Sequence, residues 1–278
     1  MNASREGRKT KDRKISTKKL IIGLGISILS LMIIYFFMGI LPSTPEKVVA
    51  EKSKKQAIVK KKDEMQEYPS KEKSKGKVVF LTFDDGPSEL TGKFLDVLKE
   101  HNIKATFFMQ GSNLQKSNLQ KYVKRAISEG HYIGAHSMTH DYSKLYEKKK
   151  FVPEMKETLA LIHEITGTSP HLVRPPYGSM PGLKNKKIRK QIIKEELKIW
   201  DWTIESEDWS LPNNPKQIIK NIKKRTTIDT EVVLMHEKPQ TLKVLPKIIA
   251  FFQEKGYKFE VYQDDAHFSC NFLNDKNM

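Results

Sequence analysis

The chain has 278 residues, 38% of them hydrophobic, and a formal net charge of +17 from 50 Lys and Arg against 33 Asp and Glu. That apolar content supports a sizeable core and excludes wholesale disorder. A single cysteine, Cys270, excludes an internal disulfide framework and a Cys-rich zinc site.

Residues 1–19 form a basic tail, and residues 20–41 carry neither charge nor proline. As a helix the latter run would reach about 33 Å, enough for a hydrocarbon core of about 30 Å. The Lys and Arg residues upstream predict a cytoplasmic N-terminus, a single-pass anchor and a domain outside the membrane. A cleavable signal peptide is the competing reading, but the run is long for one and Met38-Gly39-Ile40-Leu41 is a poor cleavage site. Residues 42–77 read as a Lys-rich linker, either a solvated spacer or a segment drawn to an anionic surface. Most of the excess charge lies before residue 78, so a nucleic-acid partner is not expected.

From residue 78 the pattern becomes regular. Strands are expected at 78–83, 105–109, 132–136, 172–174, 198–203, 231–236 and 258–262. Helices are expected at 89–100, 119–129, 153–166, 186–195, 215–225 and 241–255. Strands alternating with helices predict an α/β fold with a parallel sheet. The length, short for an eight-stranded barrel, predicts a smaller or incomplete α/β barrel over 78–263. Residues 264–278 read as a polar tail.

Polar residues collect where these strands end: Asp84 and Asp85, His136, Arg174, Asp208 and His236. In parallel α/β folds that edge is where loops converge on a ligand. Asp84-Asp85-Gly86-Pro87 is either an Asp-opened turn or two carboxylates with separate tasks, one toward a metal and one toward a proton. His136 and His140, four apart, would meet one metal if the segment makes a helical turn; the alternative is a structural pair. Arg174-Pro175-Pro176-Tyr177-Gly178 is a stiff strand exit, or it carries an arginine for a carboxylate and a backbone N–H for an oxyanion. Asp208-Trp209 places an acid beside an indole suited to wall a sugar or acyl group. His236 is structural, or a proton donor if a carboxylate lies beside it. A Gly-x-Ser-x-Gly elbow, a phosphate loop and a dinucleotide fingerprint are all missing from the sequence.

In this order, TFDDGP (82–87), HSMTH (136–140), RPPYG (174–178), Asp208-Trp209 and LMH (234–236) resemble the motifs of the polysaccharide deacetylases of carbohydrate esterase family 4, the NodB-homology domain. The likeness spans roughly residues 78–262. It implies a distorted (β/α)7 barrel. It implies Asp85, His136 and His140 as ligands of a divalent metal, usually zinc, with cobalt or manganese as alternatives. It also implies Asp84 as general base positioned by Arg174, and His236 as general acid positioned by Asp208. Tyr177 would lend its backbone N–H to the oxyanion, and Trp209 and Leu234 would line the acetyl pocket. Glu205 and Glu237 depart from the Asp common at those places in the family. The implied activity is N-deacetylation of a cell-wall glycan, N-acetylglucosamine of peptidoglycan first, by a monomer at a Gram-positive-type surface. A chitooligosaccharide or O-acetyl substrate, or a non-catalytic glycan-binding module, are the alternatives.

Overall fold

The computed structural model describes residues 76–278. The expected basic tail, the apolar run at 20–41 and nearly all of the expected linker lie outside the described residues. Among the described residues no helix is long and apolar enough to cross a membrane.

The chain runs β1 (Lys77–Gly86), α1 (Thr91–Glu100), β2 (Thr106–Met109), α2 (Ser117–Ser128), β3 (Tyr132–Ala135), α3 (Phe151–Thr166) and β4 (Leu172–Val173). It continues through α4 (Lys186–Lys194), β5 (Lys198–Ile199), β6 (Ile204–Glu205), α5 (Pro215–Arg225), β7 (Thr230–His236), α6 (Pro239–Glu254) and β8 (Tyr257–Glu260). Proline opens α5 and α6, where its missing N–H costs nothing. Gly167, at φ 74°, ends α3 in the left-handed conformation that glycine adopts most easily.

Every strand pair is parallel, and the sheet order is β5-β4-β3-β2-β1-β7-β6 with β8 beside the first half of β1. The sheet curls into a (β/α)7-like half-barrel whose two edges are β5 and β6. Side chains alternate across a strand, and β1 shows the consequence. Val79, Leu81 and Phe83 join the large core under the helices, whereas Val78 and Phe80 join Phe108, Trp200, Val232 and Tyr262 in the barrel interior. Thr82 and Asp84 continue that inner row, so the interior is apolar at the bottom and polar at the top. β7 runs in register, with Asp84 opposite His236.

Two expectations needed correction. Residues 198–203 are not one strand. Trp200 N still donates to Val173 O (3.2 Å), but beyond it the backbone is used elsewhere: Asp201 N donates to Cys270 O (2.6 Å), and the carbonyls of Trp200 and Asp201 accept from the Arg174 guanidinium (3.2 and 2.8 Å). Pairing resumes only at β6, against β7. Nor do residues 264–278 trail as a tail. Cys270, Asn271 and Met278 are buried, and Trp200 Nε1 donates to Phe268 O (2.9 Å). Cys270 and Phe268 pack with Trp200 in the barrel interior, whereas Met278 and Leu273 join the core under the helices.

Candidate active site

β1 ends in a bulge. Its register against β2 slips between Asp84 and Gly86, and Asp85 sits at φ 69°, a left-handed conformation that Asp tolerates better than most residues. The bulge breaks strand alternation, so two adjacent carboxylates both reach the same imidazole. Asp84 Oδ2 lies 3.6 Å and Asp85 Oδ1 3.8 Å from His136 Nε2.

His136 follows β3 directly. Its Nδ1 lies 2.8 Å from the Arg174 carbonyl, a contact that an Nδ1–H makes, so in the neutral ring the Nε2 lone pair faces the carboxylates. The segment to His140 does not make the helical turn that would be one way to bring the two rings together. Ser137 (φ 62°) and His140 (φ 55°) are both left-handed, and the turn is braced by Thr139 N donating to Glu154 Oε2 (3.0 Å) and His140 N to Ser137 Oγ (3.0 Å). The two rings still meet, with centroids 5.1 Å apart, and His140 Nε2 lies 3.8 Å from Asp85 Oδ1.

One ligand atom from each of Asp85, His136 and His140 falls within 4.8 Å of the other two. With metal–ligand bonds of about 2.1 Å, tetrahedral neighbours stand about 3.4 Å apart. The two carboxylate–imidazole contacts, at 3.8 Å, stand within a few tenths of an ångström of that spacing, so Asp85, His136 and His140 could close on one divalent cation by side-chain adjustment. Two neutral nitrogens and one carboxylate are a donor set that leaves room for water and substrate. Burial would raise the Asp85 pKa, but His136, His236, His140 and Lys238 outweigh it and hold the carboxyl below its usual range. Burial and the neighbouring His136 lower that of His140, which favours the neutral, ligating form.

On one side stands Asp84, 2% exposed, with Arg174 Nη1 donating to its Oδ1 at 2.9 Å. Arg174 is wholly buried. It also donates to Thr82 Oγ1 (2.6 Å) and lies with its guanidinium 4.1 Å from the Phe108 ring centroid. On the other side, His236 Nδ1 lies 2.7 Å from Asp208 Oδ1. Asp208 Oδ2 accepts from His236 N (2.7 Å) and Thr241 Oγ1 (2.5 Å), which locks the pair. Burial alone would lower the His236 pKa. The Asp208 hydrogen bond and charge, with Asp84 and Asp85 adding, instead raise it to about 9, so the ring is an imidazolium at neutral pH.

The remaining expected residues lie on the rim and wall. Tyr177 is exposed at φ 67°, an outlier for a bulky residue and a conformation that costs about 1–3 kcal/mol where the surroundings enforce it. Its hydroxyl donates to the His140 carbonyl (3.0 Å). Trp209 is exposed with Nε1 on Glu205 Oε1 (3.2 Å), and Leu234 is buried on the inner row of β7.

Three supporting residues, Asp201, Gln240 and Thr241, escaped the sequence analysis. Asp201, fully buried, accepts from Ser179 N (2.8 Å) and Phe272 N (2.7 Å), tying the loop after Arg174 to the C-terminal segment. Gln240 Nε2 donates to the Asp208 carbonyl (2.8 Å) beside Thr241. Only the chain position of these two, one turn past His236, could have hinted at their role. Glu237, noted before only as a departure, accepts from Ser88 Oγ and Thr91 Oγ1 (both 2.5 Å) while its Oε1 has no partner. Burial, opposed by those hydroxyls, raises its pKa to about 7.

A parallel half-barrel with this constellation at its carboxyl edge defines a hydrolase of the polysaccharide deacetylase class. The polysaccharide deacetylase family matches residues 71–199. A peptidoglycan-N-acetylglucosamine deacetylase of Bacillus cereus is 40% identical over 280 residues, 96% of this chain and 100% of that protein. The crystal structure of the polysaccharide deacetylase Bc1974 from Bacillus cereus superposes with a TM-score of 0.70 at 46% identity, covering 73% of this chain and 100% of that one. A peptidoglycan-N-acetylmuramic acid deacetylase of Bacillus subtilis is 33% identical over 184 residues, 66% of this chain and 37% of that protein. The chain belongs to the polysaccharide deacetylase family.

Proposed function

We propose that this protein removes N-acetyl groups from N-acetylglucosamine residues of peptidoglycan, by metal-dependent hydrolysis, outside a membrane to which residues 20–41 anchor it. The observation that carries this reading is the convergence of Asp85, His136 and His140 between an Asp84–Arg174 pair and a His236–Asp208 pair. The Bacillus cereus relative, similar over its whole length, supports the substrate.

An acetamide is a poor electrophile and water a poor nucleophile, so both need activation. A divalent cation at the triad, zinc first and cobalt or manganese as alternatives, would supply Lewis acidity toward water and the acetyl carbonyl. Asp84, oriented by Arg174, accepts the proton of the attacking water. The Tyr177 backbone N–H stabilises the developing oxyanion. His236, charged and aligned by Asp208, gives its proton to the departing amine, which cannot leave as an anion. Positioned acids and bases of this kind contribute about 10²–10⁴-fold each. Trp209 and Leu234 wall the acetyl group.

Muropeptide mass spectrometry after treatment of purified wall glycan tests the reading. The expected result is loss of one acetyl per glucosamine, with acetate released, abolished by Asp84→Asn. Loss from the muramic acid instead, as the name of the Bacillus subtilis relative suggests, would move the substrate. Release only from ester-linked acetyl groups would overturn the amide reading.

A further inference from the structure

The buried face of α5 carries Ile218, Asn221 and Ile222, and an amide among isoleucines needs polar partners. Asn221 has three. Its Oδ1 accepts from Gln217 Nε2 (2.9 Å), which turns Nδ2 toward the loop after β6, where it donates to Ser206 O and Glu207 Oε2 (both 3.1 Å). One helical turn on, Arg225 Nη1 donates to Glu205 O (3.0 Å) and Nη2 pairs with Glu207 Oε1. Two side chains of one helix thus hold three consecutive residues, 205–207, immediately before Asp208.

Glu207 sits at φ 58° and ψ 22°, a left-handed conformation that a glutamate keeps only where its surroundings enforce it. His236, Gln240 and Thr241 fix Asp208 from the β7 and α6 side, but the direction from which its backbone arrives is set at Glu207. A partly exposed ion pair such as Arg225–Glu207 adds little to stability, so the arrangement serves geometry more than it serves folding.

We propose that Asn221 and Arg225 are positioning residues for the general-acid pair: by holding residues 205–207 they aim the Asp208 carboxylate at His236. This rests on the assignment of His236 as proton donor and deepens it.

NMR titration of His236 in the metal-free full chain, beside kcat and KM for acetate release from purified wall glycan, tests it. Arg225→Met and Asn221→Ala are each expected to bring the His236 pKa down from about 9. Each should also lower kcat about ten- to a hundredfold with KM little changed, the signature of a misplaced reacting group. Besides Asp208, the charges near His236 are Asp84, Asp85 and Glu205. Removing the Arg225 cation would by charge alone raise the His236 pKa, so a fall reads lost alignment with Asp208. Arg225→Lys, which cannot fork between two acceptors, is expected to recover only part. Adding Glu207→Gly to Arg225→Met is expected to restore part of both readouts, because glycine takes a φ of 58° unforced. Should Asn221→Ala, at a buried position, fail to fold, the partly exposed Arg225 decides alone. A His236 pKa that stays put or rises in folded Arg225→Met, or a loss confined to KM, overturns the proposal. A wild type that releases no acetate overturns the function proposed above, while the His236 titration still decides this one.

Discussion

Arg174 is the residue on which most of the site's geometry turns. A fully buried guanidinium is tolerated because every neighbour is an acceptor or an aromatic face: Asp84, Thr82, two backbone carbonyls and Phe108. Removing it leaves Asp84 buried and unpaired, and breaking such a pair costs about 3–5 kcal/mol. Arg174→Ala is therefore expected to lose about that much stability in chemical denaturation, and Arg174→Lys to recover only part, because a point charge cannot serve four partners. His236 gives a second prediction at this scale. Its folded pKa of about 9 lies above the model-compound value of 6.5. Between those values the native state binds the extra proton, so the pair's stabilisation is full below about pH 6.5 and disappears as pH rises through about 9. NMR titration of the metal-free protein should place His236 near the upper value, and near the lower one or below it in Asp208→Asn. An unshifted His236 in the wild type would contradict the assignment of a charged acid. Asp84, Asp85, His136, Arg174 and His236 could be singled out because each is a polar side chain at or just after the end of an apolar strand. Asp201 and Gln240 could not, since they act by hydrogen bonds from positions whose neighbours read as ordinary loop and helix.

At the scale of elements, the bulge ending β1 does what neither carboxylate does alone. Gly86, just past Asp85, has no room for a Cβ, which would overlap Glu237 Oε1. Glu237 in turn holds Ser88 and Thr91 at the start of α1. Gly86→Ala is expected to cost about 1–3 kcal/mol by overpacking. Paired with Glu237→Ala it should cost clearly less than the two changes summed, because the smaller residue relieves the overlap. Strict additivity in a double-mutant cycle would show that the two positions do not communicate. Helix positions and the long strands β1 and β7 followed from apolar periodicity. The short edges did not: β5 and β6 have two residues each, too few to show a period, and where one stops is decided by Arg174, from a distant part of the chain. The shape of the turn between His136 and His140 was not legible for a related reason. Its left-handed residues are Ser and His rather than glycine, so the sequence carries no signal for them.

For the molecule as a whole, the last residues of the chain complete the packing of the barrel interior. They cover Trp200 and supply Phe272 to Asp201. Ending the chain at Ala266 is expected to lower the unfolding midpoint and shift tryptophan fluorescence to the red as Trp200 gains water; an unchanged spectrum would mean that the segment is dispensable. The polar composition of that segment concealed its role, since its apolar residues, Phe268, Cys270, Phe272, Leu273 and Met278, follow neither a helix nor a strand period through its length. The central claim is that three side chains from two separate segments of the chain hold one ion between a base pair and an acid pair. Metal analysis of protein dialysed against zinc, alongside Asp85→Ala, His136→Ala and His140→Ala, tests it most directly. One equivalent in the wild type, sharply less in each variant, and acetate release that stops on chelation and returns with metal is the expected outcome. Full acetate release from metal-free protein would contradict it.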